Sequence, residues 1–189
     1  MPSTIQKAEV VLRSTFQDLR ALLDLLPSDQ WRARLVVDTN ALIDDPDLAI
    51  YQPRLGARYM VHLLPVVLRE LDDLKRGGRT PAPREAATKA DRPLKGLRTN
   101  GDVRLGARVA GEVFVVFEHI EPKSDGLPSW LDLDVPDDRL VASTLLLQSR
   151  HPGSAFYVAT SDINLQTKLA AIGLPFLEPG LHTKPEVTG

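Results

Sequence analysis

Apolar positions along the chain fall into two patterns. Near the N-terminus Leu12, Phe16, Leu19, Leu23 and Leu26 recur at spacings of four, three, four and three. That rhythm places them on one face of an α-helix. Ser3 or Thr4 can cap its start, and Pro27 follows its end. The stripe covers about two heptads, short of the three or four that mark a coiled coil. It therefore predicts an amphipathic helix docked on the rest of the chain, with a homodimer through that stripe as the alternative.

From Ala33 onward short apolar runs alternate with helical stretches. Leu35-Val36-Val37, Tyr59 to Leu64, Val113 to Phe117 and Ala155 to Ala159 are continuous rather than alternating, as expected of strands covered on both faces. Pro65 suits a first helical position, with Val67, Leu71 and Leu74 inward; Pro136 precedes another helix. Ser161 can cap a third, with Leu165, Leu169 and Ile172 inward and Gly173 closing it. Strand–helix alternation predicts an α/β fold, a three-layer α/β/α arrangement around a mostly parallel sheet. The expected division is a helical extension over residues 1–32, a catalytic domain over 33–178 and a poorly ordered tail over 179–189.

In such a sheet the site lies outside the carboxyl ends of the strands, and acids cluster in those positions. Asp38 directly follows Leu35-Val36-Val37. Glu70 lies in the second turn of the helix after Leu63-Leu64, beside its buried stripe. Asp138 shares a face with Val141, Ala142 and Leu145, and Asp162 comes shortly after Ala159. An aspartate at a strand end is most often a helix cap. Several at equivalent places in successive units converge on one edge, where mutual repulsion and desolvation oppose them. A divalent cation removes the objection, because hard oxygens are the ligands Mg²⁺ and Mn²⁺ prefer. Phosphodiester hydrolysis is the chemistry such a centre serves.

These segments resemble the motifs of PIN-domain nucleases. Val36 to Ile43 is similar to the opening motif, Pro65 to Lys75 to the second, Pro136 to Ala142 to the third and Ala159 to Pro175 to the fourth. The last stretch is most similar to the PIN region beside PhoH-type ATPase domains. The resemblance runs from Leu35 to Leu177. It implies an acidic quartet of Asp38, Glu70, Asp138 and Asp162 that binds Mg²⁺ or Mn²⁺ and cleaves single-stranded RNA. Asp38 is then the central ligand, and Thr39, Asn40, Thr160 and Ser161 support the carboxylates or the scissile phosphate. Asp137 is the second choice for the third position, and Asp73 can stand in for Glu70. No Gly-x-x-x-x-Gly-Lys-Ser/Thr occurs, so the ATPase half is not expected within these residues. The N-terminal helix is not part of the common PIN core. An antitoxin partner is the less favoured alternative. The rival functions are a non-catalytic scaffold that binds RNA or protein, and a related-fold nuclease acting on structured nucleic acid.

Composition narrows the field further. The 189 residues include 43% hydrophobic and 25% charged positions, as in a folded protein, with no apolar run long enough for a membrane span. No cysteine is present. This excludes disulfides, thiol nucleophiles and Cys-ligated zinc, and fits a reducing, cytoplasmic compartment. The net charge is −2, so the chain is not uniformly basic. Between Lys75 and Arg108, however, ten basic residues face three acidic ones. Lys75, Arg76, Arg79, Arg92, Lys95 and Arg98 in that patch are candidate RNA-backbone contacts, and Gly77-Gly78 with Pro81 and Pro83 predict a mobile segment there. Trp130 is expected to anchor its acidic loop. The four histidines lack metal-ligand spacing, and His62 and His119, inside or beside strand runs, read as structural.

Overall fold

A computed structural model describes residues 4–25, 30–77 and 81–180. The long N-terminal helix α1 (Ile5–Asp24) precedes β1 (Ala33–Val37) and two short helices, α2 (Thr39–Asp44) and α3 (Gln52–Leu55). Next come β2 (Arg58–Leu63), α4 (Pro65–Gly77), α5 (Pro81–Gly96), a 3₁₀ turn (Leu97–Thr99) and the strands β3 (Ala107–Ala110) and β4 (Glu112–Phe117). The chain ends in α6 (Pro136–Arg150), β5 (Ala155–Ala159), α7 (Ile163–Ala171) and β6 (Phe176–Leu177).

The six strands form one sheet in the order β3-β4-β2-β1-β5-β6. Only β3 runs antiparallel to its neighbour. Helices cover the sheet in a three-layer α/β/α arrangement. β1 lies at the centre because all five of its residues can be buried, the arrangement that the continuous Leu35-Val36-Val37 run calls for. Leu35, Leu42, Leu63, Leu64, Leu71, Leu147, Leu165 and Leu169 complete the core. One polar knot sits within it. The guanidinium of Arg34 bonds to Ser154 and His62 at 3.0 Å, and His62 Nδ1 lies 2.8 Å from Glu118. His62 is therefore structural, as its sequence position implied.

Parallel pairing in register sets the carboxyl ends of β1 and β5 side by side: Val37 is opposite Ala159, and the Asp38 amide donates to the Ala159 carbonyl. Asp38 and Thr160 thus leave the sheet at the same level.

Several expectations need correction. α1 forms, capped by Thr4, but it is not docked. No residue of it is buried, and Leu12, Phe16, Leu19 and Leu23 remain more than half exposed. Its helical rhythm is intrinsic, and nothing in that rhythm specifies what covers it. Because it supports no core contact, deleting residues 1–25 is expected to change the unfolding free energy by less than about 0.5 kcal/mol, as for surface changes generally; chemical denaturation of both chains checks this. Of the segment expected to be mobile, residues 78–80 lie outside the described residues, and from Pro81 on the chain forms α5, whose Ala87, Ala90 and Leu94 pack against the core. Pro81 and Pro83 sit in its first turn, where backbone N–H groups need no helical partner. Trp130, expected to anchor its loop, is 47% exposed. Asp162, not Ser161, caps α7. Residues 181–189 of the expected tail lie outside the described residues.

Candidate active site

Asp38 is at once a helix cap and a buried carboxylate. Its carboxylate caps α2 through the Ala41 amide, and its second oxygen accepts the Thr160 hydroxyl. The residue is 4% exposed. Burial pushes its carboxyl up to about 6; the two hydrogen bonds pull the other way, and the charges of Asp162 and Asp137 add to the rise.

Asp38 stands at one side of a cleft of about 540 Å³. The first turn of α2 contributes Asp38, Thr39 and Asn40. α4 contributes Glu70, Asp73, Leu74 and Gly77, and the start of α6 contributes Pro136, Asp137 and Leu140. Among the described residues, every ionisable group lining this cleft is an acid. Glu70 is pushed above the usual range by burial, with Asp137 and Asp73 adding to the effect. A hydrogen bond from Thr39 Oγ1 at 2.5 Å eases it and fixes the carboxylate. Asp137 is likewise raised by burial, with Lys168 opposing and Asp162 and Asp138 reinforcing.

The two adjacent aspartates are separated by their contacts. Asp137 faces the cleft, whereas Asp138 is buried beneath the first turn of α6. Asp138 Oδ2 accepts the Asp132 amide at 2.9 Å, and Oδ1 lies 2.5 Å from Lys168 Nζ. Burial raises the Asp138 carboxyl, but Lys168 and the amide outweigh it and hold the group below the usual range. Of the pair, the second choice from the sequence is the one that borders the cleft.

Asp162 is not part of the lining. Its Oδ1 caps α7 through Asn164 and Leu165, and its amide is held by Thr160 Oγ1. Its charge nevertheless reaches both Asp38 and Asp137. Thr160 is therefore the hub, donating to Asp38 and accepting from Asp162. Asn40 is exposed on the rim, and Ser161 bonds to Asp44 at 3.2 Å rather than to the cleft acids.

The donors suit a hard divalent cation. They are all carboxylates, they are few, and burial together with their mutual repulsion raises the proton affinity of Asp38, Glu70 and Asp137. Among the described residues no three acidic or histidine side chains converge as a complete ligand set. Mg²⁺ does not need one: it keeps several waters and is commonly held by one or two carboxylates together with substrate phosphates. On that chemistry the cleft fits the ion.

Comparison with known proteins now bears on the same residues. A family model described as the PIN domain matches residues 35–178. The chain belongs to the PIN domain family. This span contains the whole sheet except the first two residues of β1, and every cleft residue. Members are generally nucleases and typically use divalent metals. A solved domain of a functionally unknown protein from Methanocaldococcus jannaschii is similar in fold, with a TM-score of 0.51 and 15% identity over 77% of this chain and 89% of that one. A search of curated proteins finds no match to this chain.

Within the PIN fold, two residues not singled out from sequence support the cleft. Lys168 bridges toward the α6 aspartates. Gln166 donates to the Thr160 carbonyl at 3.2 Å and to Glu178 at 2.9 Å. The available signal was their place in the first two turns of α7, between buried Leu165 and Leu169. The candidate RNA contacts separate into two groups. Lys75 pairs with Asp72 and Asp91, and Lys95 pairs with Asp91, so part of their charge is neutralised internally. Arg76, Arg92 and Arg98 are exposed. Arg79 lies outside the described residues.

Proposed function

We propose that this PIN domain is a divalent-metal-dependent endoribonuclease that hydrolyses phosphodiester bonds of single-stranded RNA at the Asp38 cleft. The observation that carries this reading is a cleft whose ionisable lining, among the described residues, is acidic throughout, and in which a buried aspartate is pushed to about 6. Ordinary core design avoids that arrangement.

Asp38 and Asp137 are the residues to hold Mg²⁺ or Mn²⁺, with Glu70 and Asp162 acting directly or through water. Asp138, committed to Lys168 and Asp132, serves as support. When bound, the ion supplies positive charge against the phosphate and acidifies water. Thr160 and the Ala41 amide keep Asp38 aimed. Thr39 locks Glu70, whose raised proton affinity suits it to orient water and take up a proton. Arg76 adjoins the Gly77 wall of the cleft, and Arg92 and Arg98 extend the basic surface along α5 and the turn after it. Their contacts are with the phosphate backbone and carry no base selectivity.

Binding of an unstructured RNA in EDTA is therefore expected to weaken steeply with salt. Arg92→Glu and Arg76→Glu should each flatten the log–log slope by about 0.7 for every phosphate left without its counter-charge. Fluorescence anisotropy over a salt series checks this. The function itself is tested by incubating the purified protein with unstructured RNA, duplex RNA and single-stranded DNA in Mn²⁺, Mg²⁺ or EDTA. Internal cleavage of the unstructured RNA, dependent on the metal, is expected. Binding without cleavage in either metal favours the scaffold, and preference for the duplex favours the nuclease of structured substrates.

A further inference from the structure

Two-cation centres hold their ions about 3.5–4 Å apart, each needing carboxylate oxygen on its own side. In this chain one such side is already taken by a side chain. Lys168 Nζ lies 2.5 Å from Asp138 Oδ1 and 3.8 Å from Asp137 Oδ2, bridging the two aspartates that open α6. Both oxygens of Asp138 are engaged, one by the ammonium and one by the Asp132 amide. The residue is 5% exposed, so its carboxylate cannot turn outward without breaking both contacts. Lys168 is itself held in place, because its neighbours Leu165 and Leu169 bury α7 against the core. On the other side, among the described residues, Asp38 and Glu70 meet hydroxyl groups and a backbone amide and no basic side chain. Among the described residues the positive charge is thus asymmetric: fixed at the α6–α7 side, with none found at the α2–α4 side.

We propose that the Lys168 ammonium occupies the place of a second cation, so that the cleft takes one divalent ion per chain, held from the Asp38 side. This rests on the reading of the cleft as a metal-dependent nuclease centre. A lysine suits the role because its ammonium is a compact point charge, closer to a metal ion than the planar guanidinium of arginine. Lys168 is here a positioning residue: it keeps Asp138 folded away and leaves Asp137 to the cleft.

The test counts ions without RNA. Mn²⁺ is titrated into the intact protein by calorimetry, and the bound fraction is read independently by electron paramagnetic resonance. Wild type and Lys168→Arg are expected to bind one ion per chain. Lys168→Met is expected to keep that ion and gain a second, weaker one at the freed carboxylates. Circular dichroism establishes that each variant is folded, and Lys168→Gln replaces Lys168→Met if that chain does not fold. Two ions in the wild type overturn the proposal whatever the variants do, as does a folded Lys168→Met or Lys168→Gln that still binds one. No Mn²⁺ uptake by the wild type, or uptake that Asp38→Asn leaves intact, contradicts the nuclease reading itself.

Discussion

Asp38→Asn is expected to end RNA cleavage and, in the absence of metal, to make the protein more stable. The loss follows from removing the central carboxylate; losing several kcal/mol of transition-state charge stabilisation corresponds to a fall of about 10³-fold in rate. The gain in stability follows from the direction of the Asp38 shift. Its folded-state pKa is about 6, above the ordinary value of 3.8, mainly because the group is buried. Such a group binds its proton more tightly folded than unfolded. Its burden is absent below about pH 4, grows as pH rises toward 6, and is complete above that. Two pKa units correspond to about 3 kcal/mol. Asparagine escapes this cost, can still cap α2 through its carbonyl oxygen, and gives up only the charge-assisted part of the bonds to Ala41 and Thr160. A net gain of about 1–2 kcal/mol at pH 8 is expected, which raises the melting temperature by about 2–8 °C at this size. At pH 4 the two proteins should converge. A wild type that is the more stable of the pair at pH 8 contradicts the electrostatic reading.

The second large effect separates neighbouring residues. Asp137→Asn should lower cleavage by about 10²-fold, roughly the effect of removing one preorganised charge, while leaving the fold intact, because Asp137 is partly exposed and its ionised form is already disfavoured by burial. Asp138→Asn should do the reverse. It breaks a contact with Lys168 in which the aspartate is buried and the lysine part-exposed, at a cost of about 1–3 kcal/mol; the full penalty of a buried pair is larger. Cleavage by the folded fraction should drop less than for Asp137→Asn. Denaturant melts and single-turnover kinetics on the same preparations make the comparison. Equal stability losses, or Asp138→Asn as the worse enzyme, would return Asp138 to the metal.

What the sequence could reveal follows from how local each signal is. The buried strands were legible because continuous apolar runs such as Val113 to Phe117 carry their meaning within a few residues. That Asp38 and Glu70 border one cleft was legible because each sits at a fixed offset from such a run, whereas Asp162, read the same way, caps α7 outside the lining. The choice between Asp137 and Asp138 was not, since both stand in the first turn of α6 with apolar residues at helical spacing below them. Which of them borders the cleft depends on Lys168, thirty residues later, and on the Asp132 amide, neither of which the local pattern contains. α5 was hidden because its prolines and charges imitate a loop while three small or apolar residues, Ala87, Ala90 and Leu94, suffice to seat it. The strands β3 and β6 are too short to carry a periodic signal. α1 shows the converse, a clear helix whose rhythm says nothing about its contacts.

The most direct measurement is the melting temperature of wild type and Asp38→Asn at pH 8 across a Mn²⁺ series. Selective binding to the folded chain stabilises it by mass action, so the wild type should climb with added Mn²⁺ and the variant, higher at the outset, should stay level. A wild type that does not respond, or a variant that climbs in parallel with it, contradicts the claim that these acids assemble around Asp38 to hold a divalent ion.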